Sequence, residues 1–188
     1  MAFYIMRQDT LIEGSAALDG VPESIDPSEW IQGKKMLDPA PGKKLVLDLS
    51  LESGDYRGHI IDGFLTLYHD ALKSALEEQG VNNIDYYPVR LRDQNTGETE
   101  GGYWLVNILG LSDCVDMKRS NVKWWPSGRG FDFLSMVIDE SKTHRSKLFR
   151  LKDDPTKVII NEKLKSFFDE TDMLVGVKLI RTEEYADF

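Results

Sequence analysis

Two runs of residues limit the fold more than any other feature of the chain. Tyr86 to Arg92 and Tyr103 to Leu109 are dense in aromatic and β-branched residues, as half-buried strands favour. Between them Asp93 to Gly102 is polar, holds three glycines and no apolar residue, and reads as a hairpin loop. Just upstream, Phe64, Leu65, Tyr68, Ala71, Leu72, Ala75 and Leu76 fall on one stripe at helical spacing. Asp62 stands where a cap belongs, Ile61 where a hydrophobic staple belongs, and Gly80 where a left-handed end residue belongs. The spacing therefore predicts one long amphipathic helix over about 62–79, packed on a sheet.

Further strands are expected at Phe3–Met6, at Lys44–Leu51 with its alternating leucines, at Phe131–Asp139, Leu148–Leu151 and Val158–Ile160, and at Leu174–Ile180. Asn161 is a natural cap for a shorter C-terminal helix, about 161–170, whose apolar side is Leu164, Phe167 and Phe168. Strands outnumber helices without a βαβ alternation, so the predicted class is α+β, with a mostly antiparallel sheet. Residues 8–42 hold four prolines and four glycines without sustained periodicity, and long irregular segments of this kind are usually functional or mobile. The composition shift near residue 60 suggests an N-terminal part, residues 1–60, and a main α+β domain, residues 61–188.

The net charge is −9, and its excess is uneven: −4 over residues 1–60, −5 over 61–120 and 0 over 121–188. Such acidity disfavours nucleic acid as a ligand and favours a basic protein partner, although it also serves solubility alone. No apolar run reaches the roughly 18 residues of a membrane span. The start MAFYIMRQDT has no secretion-signal pattern, and one cysteine, Cys114, allows no internal disulfide; a cytoplasmic protein is the simple expectation.

Sites of chemistry are sparse. His59, His69 and His144 form no spaced ligand motif, so structural or surface roles are expected, and neither a metal nor a cofactor is implied. Gly101–Gly102 and Ser127–Gly130 read as turns, not phosphate cradles. Asp113 and Asp116, with Asp85 or Asp93, give only a weak signal for a carboxylate cluster that would hold a hard cation; Asp116 and Ser120 fit better as local backbone partners. Trp124 and Trp125, ahead of Pro126, should point to opposite faces of extended chain, either with one ring in the core and one exposed or with both buried.

The order of helix, YYPVRL, YWLVNIL, DCVDMKRS, LFRL, VIINEKLKSFF and LVGVKL resembles immunity-protein family eleven of bacterial polymorphic toxin systems, first noticed in myxobacteria. The resemblance covers roughly residues 60–181. It implies a non-enzymatic cytoplasmic protein that neutralises a cognate toxin, often encoded beside it, by occluding it, and it carries over no catalytic residue. A nuclease toxin would suit the acid excess, because such proteins are basic where they hold nucleic acid. The alternatives are a hydrolase-like enzyme using Asp113 and Asp116, and an interaction module without a toxin. Candidate contact residues are Asp93, Glu98 and Glu100 in the acidic loop, Trp124 and Trp125, and Glu29, Trp30 and Asp38 in the irregular segment.

Overall fold

The computed structural model describes residues 1–37 and 45–186. Among them are twelve strands and two α-helices: β1 (Phe3–Gln8), β2 (Leu45–Asp48), β3 (Ile60–Ile61), β4 (Leu67–His69), α1 (Asp70–Glu78), β5 (Ile84–Arg92), β6 (Thr99–Ile108), β7 (Leu111–Ser112), β8 (Asn121–Trp124), β9 (Phe131–Ser135), β10 (Leu148–Leu151), β11 (Val158–Asn161), α2 (Glu162–Thr171) and β12 (Val177–Arg181). The class is α+β with mostly antiparallel pairing; β2 with β5 and β7 with β10 are the parallel pairs among the registers seen. The chain forms two compact units, one of Met1–Met6, Leu111–Asp172 and Leu179–Phe188, the other of Arg7–Gly110 and Met173–Lys178. Residues 1–60 and 61–188 both contribute to each. Among the described residues no helix is long and apolar enough to cross a membrane.

In the unit around Arg7–Gly110 the strand order is β2-β5-β6-β4-β3. The β5–β6 ladder runs from Ile84 opposite Ile108 to Arg92 opposite Thr99, and its register slips between Val89 and Leu91. Gly102 lies at that slip with φ +88°, a backbone region that favours glycine. Period-two alternation puts Tyr87, Val89, Leu91, Tyr103 and Leu105 on one face, packed with Leu45, Leu47, Ile25 and Trp30. Trp30, in the 3₁₀ turn Pro27–Ile31, is 2% exposed and meets the Tyr87 ring edge-on at 5.2 Å. Pro27 opens that turn, and Ala16, Ile25 and Trp30 of the described part of the segment complete the core.

The helix is shorter than the apolar stripe predicts. Leu67–His69 is strand, bonded to β6 through Leu67↔Leu105 and His69↔Tyr103, and α1 starts only at Asp70. Leu65, Tyr68 and Leu72 satisfy a helical period, but Leu65 and Leu67 equally satisfy a strand period, and pairing with β6 decides between them. Phe64 is consequently 72% exposed. Asp62 does not cap the helix: its Oδ2 accepts the Gln8 backbone N–H at 2.8 Å, and its own N–H donates to Gln8 Oε1 at 2.9 Å. The cap is His69, whose Nδ1 accepts the Ala71 N–H at 3.2 Å. Gly80 does take the left-handed conformation at the end, with φ +73°.

In the other unit the sheet order is β12-β1-β11-β10-β7, beside the two-stranded sheet β8-β9. Asn161 Oδ1 accepts the Leu164 N–H at 3.0 Å and starts α2, which buries Leu164 and Phe168. Phe3, Ile5, Phe133, Met136, Phe149, Leu151 and Ile159 form the core.

His59 and His69 stack at 5.4 Å, only 8° from parallel. Burial, and then the neighbouring His69, pull the His59 imidazole below its ordinary value. An unfolded histidine takes its proton near pH 6.5, so below that pH and above the lower folded value the unfolded chain binds more protons and stability falls as pH falls. Replacing His59 with Gln should flatten that slope: the wild-type urea midpoint is expected to drop more steeply than that of His59→Gln between about pH 7 and about pH 5. Parallel pH profiles would contradict the assignment.

Candidate interaction surface

The Pro126–Gly128 turn signal between Trp124 and Phe131 makes a hairpin of two strands that carry the densest aromatic tip of the chain. The register pairs Val122 with Phe133, Lys123 with Asp132 and Trp124 with Phe131. One face is therefore Val122, Trp124, Phe131 and Phe133; the other is Lys123 and Asp132. On the first face the rings form a ladder: Trp124 meets Phe131 edge-on at 5.1 Å, and Phe131 meets Phe133 edge-on at 5.0 Å. Phe133 is 1% exposed and anchored in the core, so the ladder leads rigidly outward to Trp124, which is 60% exposed.

Trp125 belongs to the opposite side. Its Nε1 donates to Asp132 Oδ1 at 2.9 Å, and its backbone N–H and C=O hold Gly130 O and Gly128 N, both at 2.9 Å. The ring lies over Gly130, where a Cβ would meet ring carbons at 2.6 Å. Trp125 is 49% exposed. The two rings do point to opposite faces, but neither is core, because the strands continue past the buried Phe133 before they turn.

At the base of the hairpin, Asp116 Oδ1 accepts the N–H groups of Lys118 and Arg119 at 3.1 and 3.3 Å, and Ser120 Oγ accepts the Val137 N–H at 2.9 Å. The DMKRS run is thus a turn built by its own short polar side chains. Met117, Lys118 and Arg119 of this turn are exposed, as are Lys123 on β8 and Arg129 in the turn at the hairpin's tip.

The remaining candidates lie elsewhere. Asp93 is used in its own turn, where Oδ1 accepts the Asn95 and Thr96 N–H groups at 2.7 and 3.1 Å. Glu100 pairs with Arg57, and Glu98 is exposed on the same loop. The loop is shorter than expected, because β6 already starts at Thr99. Glu29 lines an open cleft of about 510 Å³ together with Ile25, Asp26, Lys34 and Met36. Trp30 is corrected: its burial against Tyr87 removes it from any contact surface, although its Nε1 finds no partner among the described residues. Asp38 lies outside the described residues. Phe131, Asp132, Lys118, Lys123 and Arg129 went unselected by sequence reasoning, yet alternation about the Pro-Ser-Gly turn marks the strand partners of Trp124.

Asp113 and Asp116, the carboxylates of the hydrolase-like alternative, are otherwise engaged. Asp113 pairs with Lys152 at 2.8 Å, which holds its carboxyl below the ordinary range, and Asp116 builds its turn. The buried Cys114 thiol is pushed up to about 12, by burial first and then by Asp153, Asp113 and Asp139, and is no thiolate at neutral pH. Among the described residues no three His, Cys, Asp or Glu side chains converge on a metal-sized site.

Because the Trp125 ring is a surface group able to swing aside, Gly130→Ala should displace it at a cost within about 1 kcal/mol of stability. The expected readout is a shifted indole N–H resonance for Trp125 with a near-normal unfolding midpoint. An unmoved resonance would contradict the stacking.

Among curated proteins none matches the chain. A match to the immunity protein family (Imm11) spans residues 51–182, taking in the β5–β6 ladder, the aromatic hairpin and α2, and leaving out Glu29, Trp30 and Asp38. With well over half of its length covered, the chain belongs to the Imm11 family of immunity proteins.

Proposed function

We propose that the chain neutralises a cognate toxin, encoded next to it, by binding it one to one and covering the surface with which the toxin works, with the β8–β9 hairpin as the anchor. Family membership supports toxin immunity, and one observation carries the choice of surface: the ladder Phe133–Phe131–Trp124, rooted in the core and ending in an exposed indole. Rigid aromatic anchors lose little entropy on binding and dominate interface energies. The acidic loop is the weaker candidate. Asp93 is spent on its turn and Glu100 on Arg57, which leaves Glu98 as the one of the three named acids without such an engagement. A basic nuclease surface there would meet Asp93 held in its turn and Glu100 held on Arg57, with Glu98 exposed beside them.

Co-expression with the neighbouring toxin-like gene should give a complex that survives purification and cells that survive expression of the toxin. Trp124→Ala should weaken the complex by about 2 kcal/mol or more, roughly thirtyfold in Kd, and reduce protection. Failure of the wild-type chain either to bind or to rescue would overturn the reading.

A further inference from the structure

We infer that the partner surface receiving the hairpin is a concave cleft with apolar walls and an acidic rim; this deepens, and rests on, the toxin-binding reading. Trp124 and Trp125 project from opposite faces of one strand end and are 60% and 49% exposed. A flat surface can bury one of them; only a cleft that grips the hairpin from both sides buries both. The rings are held for that purpose, Trp124 against Phe131 and Trp125 over Gly130 with its indole N–H on Asp132.

Between Asp116 and Asp132 the chain carries four bases, Lys118, Arg119, Lys123 and Arg129, against those two acids. Both acids are already engaged, Asp116 by backbone N–H groups and Asp132 by the Trp125 indole. Lys118, Lys123 and Arg129 are exposed and join none of the ion pairs of the described residues, whereas Arg119 is near enough to Asp139 to help lower its carboxyl pKa. The wedge is thus positive on a chain whose net charge is −9, and the matching surface carries carboxylates. Such a cleft is the opposite of the basic groove that holds nucleic acid.

The test measures association with the inactivated product of the neighbouring toxin-like gene for the wild type, Lys123→Glu/Arg129→Glu, Glu98→Lys, Trp124→Ala and Trp125→Ala, with folding checked by circular dichroism. Should the double variant not fold, Arg129→Glu alone, at the exposed turn, replaces it. Association of the charge-reversed hairpin should slow about tenfold at low salt, and wild-type association should slow as ionic strength rises from about 0.05 to about 0.5 M. Each tryptophan variant should raise Kd about tenfold or more, and Glu98→Lys should not slow association. Unchanged or faster association of the hairpin variant, slowing by Glu98→Lys, or an effect of only one tryptophan overturns the inference. So does capture of a single-stranded oligonucleotide by the hairpin while toxin binding survives both tryptophan changes. Absence of any wild-type binding is a different result: it overturns the toxin-binding reading itself, and this inference with it.

Discussion

Pairing of β5 with β6 is the constraint on which the unit around Arg7–Gly110 depends. The two long strands share one apolar face with Leu45 and Leu47 of the neighbouring β2, where Trp30 packs, and α1 packs on β6. On the helix side, Lys73 lies over the rings of both Tyr86 and Trp104 at 5.1 Å while pairing with Glu77 at 2.9 Å. A cation held between two rings covers aromatic area while keeping its charge wet. The same ladder recruits β4 through Leu67↔Leu105, and that recruitment shortens the helix. The irregular N-terminal segment also answers to it, since Asn107 Nδ2 donates to Lys34 O at 2.7 Å and Gly33 packs directly on the Gly110 backbone.

The β8–β9 hairpin obeys other rules. A two-stranded sheet is marginal by itself, and this one is held at its inner end by Phe133 and Met136 in the core and by the Asp116 and Ser120 turn contacts. Val122 and Phe131 still pack against that core, and beyond them Trp124 and Trp125 are exposed. Edge-on rings, an indole N–H on a carboxylate and a ring closed over glycine fix the tip without burying it. Fixing a contact surface before it meets its partner removes ordering entropy that binding would otherwise have to overcome. The most exposed aromatic chemistry of the unit around Leu111–Asp172 therefore lies on a hairpin rooted in its core.

What the sequence disclosed followed from the range of the interactions. β5, β6, β10, β11 and the Asn161-capped α2 are set by local alternation, turn residues and caps, and all were legible. The parallel pairings of β2 with β5 and of β7 with β10 join segments far apart in sequence and leave no local trace. The start of α1 was misread because Leu65 to Leu72 fits both periods and a distant strand decides. Trp30 follows Pro27 by three residues and Trp125 directly precedes Pro126, yet one is core and one is surface, which only the opposing Tyr87 or its absence determines. The positive hairpin region was hidden by summation, because Lys118 and Arg119 fall in a block that sums to −5, residues 61–120, and Lys123 and Arg129 in one that sums to zero, residues 121–188.

The central claim is that the hairpin is the surface the toxin covers. Amide hydrogen exchange of the wild-type chain, alone and with the inactivated toxin, tests it directly. The account predicts slowed exchange from Asn121 to Asp132 in the complex. Protection confined to Asp93–Glu98 or to the strap around Ser24–Leu37, with the hairpin exchanging as in the free chain, would contradict it.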